Sequence, residues 1–336
     1  MMRAILALCL AAWVGQAQNA GKLDIYFIDV EGGQATLIVT PAGESMLVDA
    51  GWAGVGGRDA ERIASVAKSA GVGELDYLLI THYHLDHVGG APEVVELLPV
   101  KTFVDHGPSV ETGARAAELF ARYERVRQKG RHSIVRPGET IPLRGVEVRI
   151  VASGGEVLRA PLAGAGQENP LCRDEKRRDD DPSENAASIG FLLSYGKFRF
   201  LNLGDLTWNK ELDLVCPSNR IGTVDVYLTT HHGMNTSGPA ALVHAVRPRV
   251  AVMNNGARKG GTPEALKVLR SSPGLEDIWQ LHYSIAAGQQ LNAPEAFIAN
   301  LEENCLGDWL KLSASPDGSF TVRNGRTGYS KSYGPR

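Results

Sequence analysis

From Leu23 onward the chain is written in short apolar runs separated by glycine-containing turns. LDIYFIDV (Leu23–Val30), ATLIV (Ala35–Val39) and SMLVDAG (Ser45–Gly51) are too short for helices and too apolar for loops, which predicts three strands in an antiparallel meander. The period then changes. Arg58–Ala70 places Ile63, Val66, Ala67 and Ala70 on one helical face and leads into the apolar run Tyr77–Ile80, so the passage reads β-α-β. A helix near Glu93–Leu98, the strand KTFVD and a long amphipathic helix over Glu111–Gln128 follow, with Ala114, Ala117, Leu119 and Tyr123 facing inward. Strand patterns return between Ile134 and Val151, where VEVRIV alternates strictly.

Residues 154–183 break this rhythm. They are rich in Gly, Ala, Pro and charge, with no sustained period, and predict a solvated surface loop or a lid over a cleft. Order resumes with SIGFLLSY and FRFLNLGD, a hairpin turned at Gly196-Lys197 and buried on both faces. VDVYLTTH (Val224–His231) then repeats the layout of LDYLLITH (Leu75–His82): an apolar residue, Asp, four mostly apolar residues, Thr, His. Two β-α-β halves would each deliver a histidine from a strand end to one cleft. The strand VAVMNNG, the helix Pro263–Arg270, DIWQLHYS and a terminal hairpin after Asp308 close the chain. The expected division is a leader over 1–17, one domain over 21–300 and a C-terminal β-hairpin extension over 301–336.

The chemistry gathers at strand ends. The run THYHLDHVGG carries His82, His84, Asp86 and His87 at HxHxDH spacing directly after a buried strand. His82 and His84, two apart, point the same way and can converge on one cation, while Asp86 and His87, further round the turn, face a second. Asp49 ends the third strand in apolar surroundings, where a carboxylate can hold a metal-binding histidine in the required tautomer. Asp205 ends a strand buried on both faces; an unpaired carboxylate there is costly, which makes it a candidate metal bridge. His231 and His232 follow the repeated strand. Candidate substrate-facing groups are Asn254 and Arg258 (with Lys259 in NNGARKGG) and the strand-end histidines His106 and His282.

Composition narrows the setting. With 336 residues and 43% hydrophobic content the chain can bury a large core, and its formal net charge of -3 gives no support to nucleic acid as a partner, leaving room only for a local basic groove. Arg3, the apolar run Ala4–Val14 and the small residues of Gly15-Gln16-Ala17 predict a secretory leader cleaved near Ala17, hence a periplasmic or secreted protein. The run is well short of the roughly 20 residues a membrane-spanning helix needs, and no later segment is long and apolar enough. Without the leader, Cys172, Cys216 and Cys305 allow one disulfide and one free thiol, or none.

Taken together, Asp49, HxHxDH at His82–His87, Gly204-Asp205 and His231-His232-Gly233 resemble the metallo-β-lactamase-fold superfamily over about Leu23–Ser284. The words FIDVEGGQA, ENAAS, NLGD and HHG look most like the soluble domain of ComEC-like competence proteins and like secreted phosphorylcholine esterases. The resemblance implies an α/β fold, a four-layer αββα sandwich with pseudo-symmetric halves, and a centre of two divalent ions at one edge, zinc first, with manganese and iron as the other fits. It implies His82 and His84 on the first metal, Asp86 and His87 on the second, and Asp205 between them. The pseudo-repeat selects His231 as the last ligand, whereas the loop of zinc-dependent ribonucleases selects His232. Two departures stand out: no histidine lies between Ala152 and Gly204, which leaves the first metal one ligand short with Asn185 or Ser188 near the position, and Gly261-Thr262-Pro263 replaces the Gly-His-Pro of ComEC relatives. The implied activity is a secreted hydrolase using a metal-bridged hydroxide that Asp86 orients and Asp49 supports, on a phosphodiester or other small molecule. A lactone, thioester or lactam hydrolase is the nearest alternative, and a non-catalytic ligand-binding protein with a degraded metal site is the alternative of another class.

Overall fold

The computed structural model describes residues 21–336; the expected leader and its cleavage point lie outside them. The first half runs β1 (Leu23–Phe27), β2 (Thr36–Val39), β3 (Ser45–Val48), α1 (Arg58–Ser69), β4 (Leu75–Leu79), α2 (Leu85–Val88), α3 (Ala91–Leu97), β5 (Val100–Asp105), α4 (Ala114–Arg127) and β6 (Arg131–Ile134). The second runs β7 (Thr140–Ile141), β8 (Glu147–Ser153), β9 (Glu156–Val157), α5 (Glu184–Ala187), β10 (Gly190–Tyr195), β11 (Phe198–Asn202), α6 (Trp208–Val215), β12 (Val226–Leu228), α7 (Ala240–Val246), β13 (Val250–Met253), α8 (Pro263–Arg270), β14 (Asp277–His282) and β15 (Ile298–Asn300). Three last strands, β16 (Leu310–Ala314), β17 (Phe320–Asn324) and β18 (Ser330–Tyr333), return to the first sheet.

Two sheets pack face to face. The first has the order β18-β17-β16-β1-β2-β3-β4-β5-β6 and the second β15-β14-β13-β12-β11-β10-β8-β7, with β9 on β8. Each half carries an antiparallel meander that gives way to parallel strands, at β3–β4 in one and β11–β12 in the other. Apolar side chains alternate toward the inter-sheet core, where Ile25, Leu79, Phe191, Phe200, Val226 and Leu312 meet. The opposite face of the first sheet buries Ile63, Val94 and Tyr123 from α1, α3 and α4, and that of the second buries Leu214, Val243 and Leu269 from α6, α7 and α8. The result is helix, sheet, sheet, helix. No helix of the described residues is long and apolar enough to cross a membrane.

The C-terminal strands continue the first sheet. β16 pairs antiparallel with β1, from Leu23 opposite Ala314 to Phe27 opposite Leu310, and Leu310, Leu312, Phe320 and Val322 lie in the central core. A free hairpin would leave that apolar face in water, and docking on the edge of β1 removes it. The helix expected from Glu111 begins three residues later, leaving Glu111 in the loop that leads into it.

Candidate metal centre

Parallel strands place their carboxyl ends together, and the chemistry lies there. Asp49 follows β3, the HxHxDH loop follows β4, Asp205 follows β11, and His231 and His232 follow β12. Asp49, His231 and His232 are three of the five non-glycine residues with left-handed backbone among the described residues, at φ 60°, 53° and 56°. Side chains are held in that region at a cost of order 1–3 kcal/mol, a feature that concentrates at working sites. The turn after α2 packs tightly: a Cβ at Gly90 would sit 2.2 Å from the Ala50 carbonyl oxygen, so glycine is required there.

Asp49 is fully buried and ties the strand ends together. Its Oδ1 accepts from the Thr81 amide (2.7 Å), and its Oδ2 accepts from the Thr81 hydroxyl (2.7 Å) and from His87 Nδ1 (2.8 Å). With Nδ1 donating, His87 turns Nε2 inward. There it meets His232 Nε2 at 3.2 Å, Asp205 Oδ2 at 3.2 Å and Asp86 Oδ2 at 3.3 Å. His232 Nε2 in turn lies 3.2 Å from Asp86 Oδ2 and 3.3 Å from Asp205 Oδ2. These four atoms outline a tetrahedron whose five measured edges span only 3.2–3.3 Å. A tetrahedral zinc with ligands at about 2.0 Å requires edges of about 3.3 Å, the bond length multiplied by about 1.63. The donor set and its spacing therefore fit a divalent ion.

Electrostatics agree. Burial would raise the Asp86 carboxyl, but the His87 and His232 imidazoles outweigh it and hold Asp86 well below the usual range. Asp205 is held down in the same way by His232, His87 and His231. Burial would lower His87, yet Asp205, Asp86 and Asp49 raise it well above the ordinary histidine value.

A second edge lies alongside. His82 Nε2 and His84 Nδ1 are 3.1 Å apart. Since the Thr81 hydroxyl donates to Asp49, His82 Nδ1 donates to Thr81 Oγ1 (3.1 Å), which leaves a lone pair on Nε2. Burial and the neighbouring His87 imidazolium keep His82 well below its ordinary value, hence neutral. His84 presents Nδ1 because its Nε2 contacts Glu111 Oε1 at 3.1 Å. Asn185 Oδ1 and Ser188 Oγ, the atoms nearest in sequence to the absent histidine, are buried without a hydrogen-bond partner.

The remaining candidates separate. His231, the residue selected by the internal repeat, lies on the rim: its Nε2 is 3.5 Å from Asp205 Oδ2, and Thr236 Oγ1 engages its Nδ1 at 3.1 Å. Asn254 backs the cage through Nδ2 at 3.1 Å from His232 Nδ1 and through a bond to Gln34 Oε1. His106 is buried and hydrogen-bonded to Glu184 (2.9 Å), outside the cage. His282 pairs with Asp29 at 2.7 Å, beside Arg62 and the free thiol of Cys305, also outside. Arg258 points away into an exposed pair with Glu303 (2.5 Å), and the adjacent Lys259 reaches Asp86 instead.

Two acidic residues had no reading from sequence. Glu184 accepts from Ser109 Oγ (2.8 Å), Val110 N (2.7 Å) and Tyr83 N (3.1 Å), fixing the backbone between His82 and His84. Glu111 steadies His84. Each belongs to a distant segment, and the ENAAS word was the one signal for Glu184.

The model of the metallo-beta-lactamase superfamily matches residues 28–167. Over that stretch the chain is similar to the metallo-beta-lactamase superfamily. Among its relatives, a UPF0173 metal-dependent hydrolase of Cupriavidus necator is 26% identical over 261 residues, covering 74% of this chain and 80% of that protein. Recombination protein 2 of Haemophilus influenzae is 24% identical over 75% of this chain, which spans only 26% of that longer protein. Among solved structures, the metallo-beta-lactamase fold protein YhfI from Bacillus subtilis aligns over 77% of this chain and 95% of its own, with 9% identity and a TM-score of 0.47. The chain also carries a loop pinned beside its cage. Residues 170–183 are tied by the Cys172–Cys216 disulfide to the end of α6, and Arg178 lies 3.5 Å over the Trp208 ring while donating to the Asn235 carbonyl at 2.8 Å. Asn235 adjoins Thr236, so the irregular segment borders the His231 rim.

Proposed function

We propose that this chain is an exported metal-dependent hydrolase with a two-metal centre that acts on phosphodiesters. The observation that carries this reading is the near-regular tetrahedron of Asp86, His87, Asp205 and His232 beside the converging nitrogens of His82 and His84. His82 and His84 would hold one ion, Asp86, His87 and His232 the other, and Asp205 would serve both, with zinc favoured by the N/O donor set and manganese or iron next. Divalent ions there would supply a water-derived nucleophile near neutral pH and stabilise charge building on phosphorus.

The chain's own residues do the positioning. Asp49 engages His87 Nδ1 and Glu111 engages His84 Nε2, which aims the other nitrogen of each ring at the site, where a bound metal would displace any proton on it. Asp86, held ionised by its imidazole neighbours, stays available as a ligand and hydrogen-bond acceptor throughout the neutral range. Hydrolase chemistry is supported by the name of the Cupriavidus relative. Export is supported by the Cys172–Cys216 disulfide, which suits an oxidising compartment. A second reading, a binding protein with one working metal site, is favoured by the two-nitrogen supply of the His82–His84 edge.

Metal analysis of zinc-supplemented protein, with bis-p-nitrophenyl phosphate, a chromogenic cephalosporin and a simple lactone as substrates, tests both. Two equivalents of metal with diester turnover is the expected result. One equivalent with no turnover would favour the binding protein, and lactone or lactam turnover without diester turnover would move the substrate class.

A further inference from the structure

We propose that Lys259 is the anion-binding group of this site. Its ammonium donates to Asp86 Oδ2, the same oxygen that faces His87 and His232 inside the cage. The residue is built into place. A Cβ on Gly32 would lie 3.0 Å from Lys259 Cβ, the ammonium sits 4.9 Å from the centre of the Trp52 ring, and the Lys259 carbonyl accepts from Gly256 N at 2.8 Å. The following turn is clamped onto a cage residue: Gly260 has φ +75°, any Cβ there would sit 2.1 Å from the His232 carbonyl oxygen, and Gly261 N donates to that oxygen at 2.9 Å. Its side chain is 30% exposed, so the cation is reachable from solvent while anchored at the rim; that of neighbouring Arg258 is 71% exposed and engaged by Glu303.

Asp86 Oδ2 would also be a ligand of a divalent ion held by the cage, so that the ammonium would then share its partner with a like charge and be repelled from it. The flexible four-carbon stem lets the ammonium leave Asp86 and remain at the rim, where it needs an anionic partner. A phosphoryl oxygen approaching the metals would supply one. In the empty cage Lys259 neutralises Asp86, and in the loaded cage it receives the substrate's negative charge. The choice of a phosphoryl anion rests on the hydrolase reading above.

The test uses zinc-loaded wild type, Lys259→Ala, Lys259→Arg and Arg258→Ala, with inorganic phosphate binding followed by calorimetry. Lys259→Ala should bind phosphate about 10- to 100-fold more weakly, the size expected for a charge-assisted hydrogen bond. Lys259→Arg should recover most of the loss and Arg258→Ala should match wild type. Zinc affinity of Lys259→Ala should be unchanged or tighter, because a competing cation has gone. In parallel, kcat/KM for bis-p-nitrophenyl phosphate should fall while that for neutral p-nitrophenyl acetate holds. Unchanged phosphate affinity at full zinc content, equal losses on diester and neutral ester, or weaker zinc binding would each overturn the proposal. Phosphate binding that depends on Lys259 in a wild type that turns over neither ester would support it and sink the hydrolase reading alone.

Discussion

Asp49 and Asp205 both touch His87, yet their removal should damage different properties. Asp49 accepts hydrogen bonds from the Thr81 amide, the Thr81 hydroxyl and His87 Nδ1, all inside the protein. Each donor left buried and unpaired costs about 1–3 kcal/mol, so Asp49→Ala should lower the unfolding free energy of metal-free protein by about 3 to 5 kcal/mol after partial relaxation. Asp205 instead faces the cage, with Oδ2 at 3.2, 3.3 and 3.5 Å from the nitrogens of His87, His232 and His231. Asp205→Ala removes a corner of the tetrahedron. Losing an orienting partner typically weakens metal binding about 10- to 100-fold, and losing a ligand should exceed that. Urea unfolding of metal-free protein and zinc competition with a chromophoric chelator separate the two effects. The expected order is Asp49→Ala less stable and Asp205→Ala weaker in zinc. Wild-type zinc affinity in Asp205→Ala, or wild-type stability in Asp49→Ala, would refute the reasoning.

Burial alone would lower His282, but its bonds to Asp29 and the Cys305 sulfur raise it to about 9. A group raised above its ordinary value of about 6.5 stabilises fully below that pH and loses the contribution as pH climbs through 9, so unfolding free energy should drop by about 3 kcal/mol across pH 6.5–9.5. His282→Gln should flatten that slope in denaturant titrations. Glu111→Ala should release metal from the His82–His84 edge about 10- to 100-fold more readily, seen as a second chelator-sensitive equivalent, while the four-atom cage keeps its ion. Replacing Cys172 and Cys216 by Ser opens a loop of sequence separation 44, which loop entropy values at about 4 kcal/mol, and should lower the thermal midpoint of metal-free protein. Arg258→Ala should leave the thermal midpoint at the wild-type value in a melting experiment, because its pair with Glu303 lies in water.

The strand-end logic of this chain was legible in its residues. Apolar runs of fixed length ending in Asp49, His82, Asp205 and His231 need nothing beyond local periodicity and the cost of burying a lone carboxylate, and the echo between LDYLLITH and VDVYLTTH exposed the two halves. Choices between neighbouring residues were not legible. His231 and His232 both lie in the left-handed region, and which imidazole enters the cage depends on the turn at Gly260 and Gly261 closing against the His232 carbonyl. Arg258 and Lys259 divide between Glu303 and Asp86 for a similar reason: each acidic partner arrives from a remote segment, 45 residues away for one and 173 for the other. Glu111, Glu184, the Cys172–Cys216 bridge and the docking of β16 on β1 are likewise pairings across large sequence separations. Spacing along a chain specifies which side chains share a strand end. Which of them meet across two packed sheets is decided by the core between the sheets, whose contacts exist only once the whole chain has folded.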